Sequence, residues 1–184
     1  MQDLIESITQ CSVHGKNIPI IAHKLQKNFH HSVKPQEVCS TLQKFTAEEL
    51  ACVKSIVLAQ PGDDEIKLRA HGEFCSDDNQ ILVYALKMTK KKTGKEVFKL
   101  QCQGKTAKGK IREVTPEEAH DRVLNDVIPH EVCHAMSKCI KKDNFNPGED
   151  EEAYARSCSI DMRKRFKVTE KPTYLGGFCA IVRG

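Results

Sequence analysis

The chain has 184 residues, of which 39% are hydrophobic and 29% charged, with a formal net charge of +4. This balance fits a soluble protein of one domain, or a compact domain with a small helical appendage. No stretch approaches the run of about 18 apolar residues that a membrane helix needs, which excludes a membrane span.

Cysteine usage bears on the compartment. The nine cysteines are odd in number and form no CxxC pair, which favours reduced thiols over a disulfide scaffold. Residues 1–6 are acidic and lack the basic start and apolar run of a secretory signal. We therefore expect a cytoplasmic protein, with export by a non-classical route as the alternative.

Residues 1–62 are predicted to form a helical segment. A helical rhythm of apolar residues runs through residues 18–29 and repeats after Pro35 with Val38 and Leu42. Residues 46–49 read as a capping box that opens a further helix ending before Pro61. A helix-turn-helix unit is one interpretation of this segment, although any small helical bundle gives the same pattern.

Residues 63–112 change to a β pattern. Residues 66–70 and 80–89 read as strands, and residues 97–102 return as a partner strand after the turn at 91–95. A hairpin or three-stranded antiparallel sheet is therefore expected, followed by a loop at 104–110. Residues 87–112 carry ten Lys or Arg and one acid, Glu96. Such a basic surface could attract an acidic partner or nucleic acid, or simply be a solvated hairpin.

Helices resume at Thr115, where an N-cap, a proline and a capping-box glutamate follow one another. Pro129 is expected to kink or restart this helix. After a break at 141–148, a last helix should run from about Glu149 to about Phe166. The fold class is therefore α+β, with a metal-bearing domain over residues 63–184.

The sequence H-E-V-C-H at 130–134 carries the chemistry. His130 and His134 are four residues apart, so on a helix both imidazoles leave one face and can bind one metal ion. The Glu131 carboxylate can reach a water on that metal, which suits a general base. Cys133 points elsewhere and is expected to be a packed core thiol. His71 and His120 are weaker ligand candidates because neither has a paired spacing.

The residues V-I-P-H-E-V-C-H-A at 127–135 resemble those of SprT-like metallopeptidases. Those proteins take a third histidine from a downstream His-Gly, but no histidine follows His134 here. An acidic third ligand is therefore implied, as in the gluzincins, and E-A-Y-A at 152–155 is similar to their E-x-x-A element. A helix-turn-helix-like segment beside such a peptidase is also similar to the ImmA-like peptidases, although the match is loose.

Three neighbouring glutamates are candidates for the third metal ligand. Glu149, Glu151 and Glu152 all lie in the first turn of the last helix, where any of them could merely favour the helix dipole. Helical periodicity places Glu151 at the centre of the apolar stripe. The gluzincin resemblance instead implies Glu152, which has Ala155 three residues on. We weight the resemblance and predict Glu152, with Glu151 as the alternative.

The sequence thus predicts a zinc-dependent metallopeptidase that hydrolyses a protein or peptide substrate, with Glu131 as general base. Tyr174, on a predicted loop, is a candidate donor to the oxyanion of the tetrahedral intermediate, and Tyr154 is a weaker one. The alternative is a non-catalytic protein stabilised by zinc, or a nucleic-acid-binding module that uses the basic residues 87–112.

Overall fold

A computed structural model describes residues 4–62, 71–101, 111–139 and 151–168 of the chain. It confirms the α+β class. The strands are β1 Ile5–Val13, β2 Lys16–His23, β3 Phe29–His30, β4 Ser55–Ala59, β5 Gly72–Cys75, β6 Gln80–Tyr84, β7 Leu86–Lys90, β8 Glu96–Gln101 and β9 Ile111–Val114. The helices are α1 Pro35–Leu42, α2 Pro116–Arg122, α3 Ile128–Cys139 and α4 Glu151–Arg165, with a π-helical turn, Val123–Val127, between α2 and α3.

The larger sheet has the strand order β1-β2-β4-β6-β5. β1 and β2 form an antiparallel hairpin whose two-residue loop, His14 and Gly15, has positive φ at both positions, as a tight hairpin turn requires. β4 lies parallel to both β2 and β6, and β5 returns antiparallel to β6. Among the described strands, β5 is therefore an edge of the sheet.

The main core lies between one face of this sheet and the helices. Alternate residues of the three central strands are almost fully buried: Ile18, Ile20, Ile56, Leu58, Ile81 and Val83. The same core contains Val38 of α1, Val132 of α3 and Ala155 of α4. The strand period of two thus sets one face of the sheet against these helices.

The smaller sheet, β3-β7-β8-β9, is antiparallel and contains the basic hairpin. The strand predicted over residues 80–89 is divided at Ala85 between the two sheets, so two sheets replace the expected small one. β8 confirms the predicted partner strand over residues 97–101. The strand predicted over residues 66–70 and the loop predicted over 104–110 lie outside the described residues.

The prediction of a helical segment over residues 1–62 is wrong for most of its length, and so is the helix-turn-helix interpretation. β1 and β2 occupy residues 5–23, and only α1 confirms a predicted helix, after Pro35. The physical reason lies in Ile18, Ile20 and Ala22, which alternate on the buried face and are mostly β-branched. The sheet also pairs β4 with β6, from either side of the boundary predicted at residue 62.

The helix predicted from Thr46 is also wrong. The capping contacts do form, because Glu49 donates its backbone N–H to Thr46 Oγ1 and accepts from the Thr46 N–H. The chain nevertheless makes only turns before β4, whose five residues are all buried. A central parallel strand is buried on both faces and therefore forms a continuous apolar run, which resembles a helix over so short a length.

Three pairs of cysteines form disulfides in the described part of the chain: Cys11 with Cys39, Cys52 with Cys139, and Cys133 with Cys158. Cys75 is free. The expectation of reduced thiols is therefore not confirmed. Among the described helices, none has both the length and the apolar character to cross a membrane.

Candidate metal centre

The helix that carries His130 and His134, α3, continues directly from α2 and the π-helical turn. Thr115 caps α2, because its Oγ1 accepts the Glu118 N–H at 3.1 Å and its own N–H donates to Glu118 Oε2 at 2.9 Å. The π-helical turn then leads into α3, and the Ile128 N–H reaches back five residues to the Val123 carbonyl. Pro129, which has no N–H to donate, therefore stands in the first turn of α3 and ends no helix.

His130 and His134 lie on one face of α3, as their spacing predicted. Their ring centroids are 4.7 Å apart, and the two Nε2 atoms are 3.1 Å apart. The His130 ring is buried and the His134 ring is half-buried. The Nε2 atoms of the two rings are therefore close enough to bind the same ion.

Glu152, in the first turn of α4, faces both rings. Its Oε1 is 3.5 Å from His130 Nε2 and its Oε2 is 3.2 Å from His134 Nε2. Ligand atoms of these three residues all lie within 4.8 Å of one another, so the group could hold a metal ion. Hydrogen bonds to the two histidines hold the Glu152 carboxyl pKa well below its usual range.

Glu151 lies beside this group but contacts the other side of the second imidazole. Its Oε1 is 3.2 Å from His134 Nδ1 and accepts a hydrogen bond from Ser137 Oγ at the same distance. Lys138 Nζ lies 3.6 Å from the other carboxylate oxygen of Glu151. A carboxylate on the outer nitrogen of a metal-binding histidine orients the ring and fixes its tautomer.

Glu131 is buried between α3 and β5, with only 4% of its surface exposed. Burial raises the pKa of its carboxyl to about 7; the negative charges of Glu152 and Glu73 add to this, and the two histidines oppose it. A carboxyl with a pKa near neutrality can take up and release a proton at physiological pH.

Glu131 shares a cleft of about 220 Å³ with the histidines. One wall is β5, through Gly72, Glu73 and Phe74, and the other wall is formed by the helices, through the three metal-binding candidates with Glu131 and Glu151. A Cβ atom added at Gly72 would lie 2.6 Å from Val127 Cγ1 and 3.2 Å from Glu131 Cγ. Glycine at this position therefore lets the strand approach the helix closely.

The other predicted site residues are separate from the cleft or not described. Tyr174 and Glu149 lie outside the described residues. His120 contacts Glu37 and Asp121 and does not line the cleft. His71 is buried, and its pKa is lowered to about 4 by burial and by the charge of Arg122.

Cys133 is fully buried, as predicted for a core residue, but it is not a thiol. It forms a disulfide with Cys158, because α3 and α4 pack closely enough to bring the two Cα atoms within 6.0 Å. This bond crosslinks the histidine-bearing helix to the helix that carries Glu152.

Sequence reasoning missed the β5 wall. The strand Gly72–Cys75 has only four residues, which is too short for a pattern of alternating apolar and polar residues to reveal it.

Comparisons with protein-family models, with curated proteins and with solved structures found no match for this chain.

Proposed function

We propose that the protein is a zinc-dependent metallopeptidase, with His130, His134 and Glu152 as ligands and Glu131 as general base. The observation that carries the proposal is the position of Glu131. A buried carboxyl opens onto the same small cleft as three potential ligands, next to β5, which is an edge among the described strands. A purely structural zinc site has no need of such a group.

The donor atoms fit zinc in kind and in spacing. Zinc accepts imidazole nitrogen and carboxylate oxygen, and a tetrahedral ion with bonds of about 2.0–2.1 Å holds its ligands about 3.3–3.4 Å apart. The two histidine Nε2 atoms are 3.1 Å apart, and the two oxygens of Glu152 lie near them, Oε2 at 3.2 Å from His134 Nε2 and Oε1 at 3.5 Å from His130 Nε2. Three protein ligands are typical of catalytic zinc sites, whereas structural sites use four.

The surrounding side chains would hold these ligands in place. Glu151 would orient His134 through Nδ1. Arg156, one turn along α4, donates from Nε to Glu152 Oε1 at 3.1 Å. Such outer contacts fix the direction of ligand lone pairs before any metal binds.

A zinc ion held by His130, His134 and Glu152 would act as a Lewis acid and lower the pKa of a water, so that the water could lose a proton and attack a carbonyl near neutral pH. Glu131 accepts the proton of the attacking water and passes it to the leaving amine. Burial raises the pKa of the Glu131 carboxyl in the metal-free protein, and this favours a group that can hold the proton between the two transfers. Attack by water on the peptide carbonyl carbon breaks the C–N bond and releases a carboxylic acid and an amine.

Sheet geometry supports a peptide as the substrate. An edge strand presents unpaired N–H and C=O groups, and an extended peptide can bind by adding a strand to it. Among the described strands, β5 is such an edge, and it forms one wall of the cleft. The peptide would lie beside Glu131 and the metal ligands.

The second candidate is a zinc-stabilised binding module that uses the basic hairpin. Lys87, Lys90, Lys92 and Lys95 are exposed on or beside β7 and its turn, which gives this candidate a surface for an acidic partner. The two candidates differ in whether the metal keeps an exchangeable water, since structural zinc sites are closed.

The deciding experiment begins with protein purified without added metal. Elemental analysis should give about one zinc per chain after equilibration with micromolar zinc. Cleavage of casein or of the protein itself should then depend on zinc and stop with a chelator. Protein that takes up no zinc contradicts the metal site, and protein that binds zinc but cleaves neither substrate favours the binding module.

A further inference from the structure

Among the described strands, β5 has one unpaired edge, called the open edge below, and this edge has a defined polarity. The Tyr84 N–H donates to the His71 carbonyl at 3.0 Å, so these two residues form a hydrogen-bonded pair of the antiparallel ladder. Because bonded and non-bonded pairs alternate, Glu73 and Leu82 form the next bonded pair. The backbone N–H and C=O of Gly72 and Phe74 therefore point away from β6, toward the open edge.

The two faces of β5 differ in what they meet. A Cβ atom added at Gly72 would contact Glu131, and Phe74 packs against the main core. Both positions therefore face α3. Glu73 faces the other way, because strand side chains alternate. A peptide added to the open edge would likewise place alternate side chains on the face of Glu73.

Glu73 is an exposed carboxylate held in place at the cleft. Its Oε2 accepts a hydrogen bond from Tyr84 Oη at 2.9 Å. Within the described part of the chain, no Lys or Arg lies within ion-pair distance of it. Among the described residues, its hydrogen-bond partner is thus a neutral hydroxyl and not a cation.

The surroundings of Glu73 add to the negative charge. Asp77 and Asp78 are exposed in the turn that follows β5. The pKa of the neighbouring Cys75 thiol is raised by burial and by the charges of Glu73, Asp78 and Asp77. No Lys or Arg lines the cleft among the described residues. Glu73 and the two acids of the following turn therefore favour a cationic side chain beside them.

We infer that Glu73 is a specificity-determining residue, which selects peptides carrying Lys or Arg at the position opposite it on the open edge of β5. This inference rests on the proposed peptidase function and names its substrate class. Since Glu73 follows Gly72, which meets Glu131, and strand residues are about 3.4 Å apart, the selected side chain lies within about two residues of the scissile bond.

The test measures binding separately from turnover. Zinc-loaded Glu131→Gln protein is titrated with three labelled peptides that differ only in carrying Lys, Gln or Glu at one position, and binding is followed by fluorescence anisotropy. The Lys peptide should bind about fivefold more tightly than the Gln peptide, at the upper end of what an exposed ion pair contributes. The Glu peptide should bind most weakly.

Substitutions at position 73 test whether Glu73 causes the preference for the Lys peptide. Adding Glu73→Gln should remove it, and adding Glu73→Lys should reverse it in favour of the Glu peptide. Glu48→Lys is the matched control, because it makes the same change in net charge at an exposed residue outside the cleft. It should leave the order of the three peptides unchanged.

The outcomes separate this inference from the proposed function. A Lys preference that survives Glu73→Lys, or no binding of any peptide, overturns the inference. Equal cleavage of all three peptides by the parent protein overturns it and leaves the peptidase function standing. A preference that Glu73→Lys reverses, in a protein that cleaves none of them, supports recognition by Glu73 and contradicts the peptidase function.

Discussion

The Oε1 atom of Glu151 lies 3.2 Å from Nδ1 of His134, on the side of the imidazole opposite the nitrogen that faces Glu152. The two neighbouring glutamates thus contact different nitrogens of one ring. Since a histidine that binds a metal through one nitrogen usually donates the other N–H to a carboxylate, the pair has the arrangement of a ligand and its supporting residue.

Replacing the two glutamates in turn should separate these roles. Glu152→Ala removes a proposed ligand and should reduce zinc affinity much more strongly than Glu151→Ala. Glu151→Ala leaves the ligands in place and should weaken zinc binding by about 10–100-fold, as loss of an outer contact does. Competition with a chelator of known affinity measures both. Parent-like affinity in Glu152→Ala, with loss in Glu151→Ala, would reverse the assignment.

Glu131→Gln should retain zinc and the fold but lose turnover. The amide keeps the size of the side chain and cannot accept the proton, and loss of a general base costs about 10²–10⁴-fold in rate. Zinc content, circular dichroism and the rate of peptide cleavage are measured on one preparation. If the folded variant lost its metal, Glu131 would be a ligand and the proposed mechanism would be wrong.

Gly72→Ala should disturb Glu131, the proposed general base, from the strand side. The new methyl group would lie 2.6 Å from Val127 Cγ1 and 3.2 Å from Glu131 Cγ, so the strand or the helix has to shift. Overpacking of this kind costs about 1–3 kcal/mol of unfolding free energy. Urea denaturation and cleavage assays should both show a loss, while zinc is still bound. Ser76→Ala, in the turn after β5, is the control and should change neither.

The buried ion pair between Asp126 and Arg163 should stabilise the packing of α4 on the π-helical turn. Both side chains are 7% exposed. Asp126→Asn removes the carboxylate charge beside the buried Arg163 guanidinium, and breaking a buried ion pair on one side costs about 3–5 kcal/mol. The double variant Asp126→Leu/Arg163→Met removes both charges and should be more stable than the single one. Thermal unfolding gives the comparison, and equal losses in the two variants would contradict this account.

The ion pair between Glu49 and Arg165 should make stability depend on pH. Burial alone would raise the pKa of Glu49, but hydrogen bonds from Arg165 and Thr46 outweigh it, so the folded-state pKa lies below the usual value of 4.5. The contribution to stability is therefore present above about pH 4.5 and is lost as the pH falls through the folded-state pKa.

The matched variant for this pair is Glu49→Gln, which cannot titrate. Urea denaturation between pH 3 and pH 7 should show a smaller loss of stability on acidification for Glu49→Gln than for the parent protein. Identical pH profiles would mean that the Glu49 carboxylate contributes nothing to the free energy of unfolding between pH 3 and pH 7.

The sequence by itself determined the features that depend on neighbours along the chain. Four-residue spacing on a helix places His130 and His134 on one face whatever the rest of the protein does. The capping box at Thr115 and the helix after Pro35 likewise form from contacts within a few residues. The structure confirms each of these local predictions.

Only the tertiary structure decided the features that need distant partners. The spacing of apolar residues over residues 18–22 fits a helix or a strand. Pairing with β1 and β4 makes this segment a strand. Glu151 and Glu152 are equivalent as helix-starting acids, and the packing of α4 on α3 sets which of them faces both histidines. The same packing joins Cys133 to Cys158, and the sheet edge brings Gly72 and Glu73 to the cleft. Contacts between residues far apart in sequence depend on how whole elements pack, and local propensity carries no information about that packing.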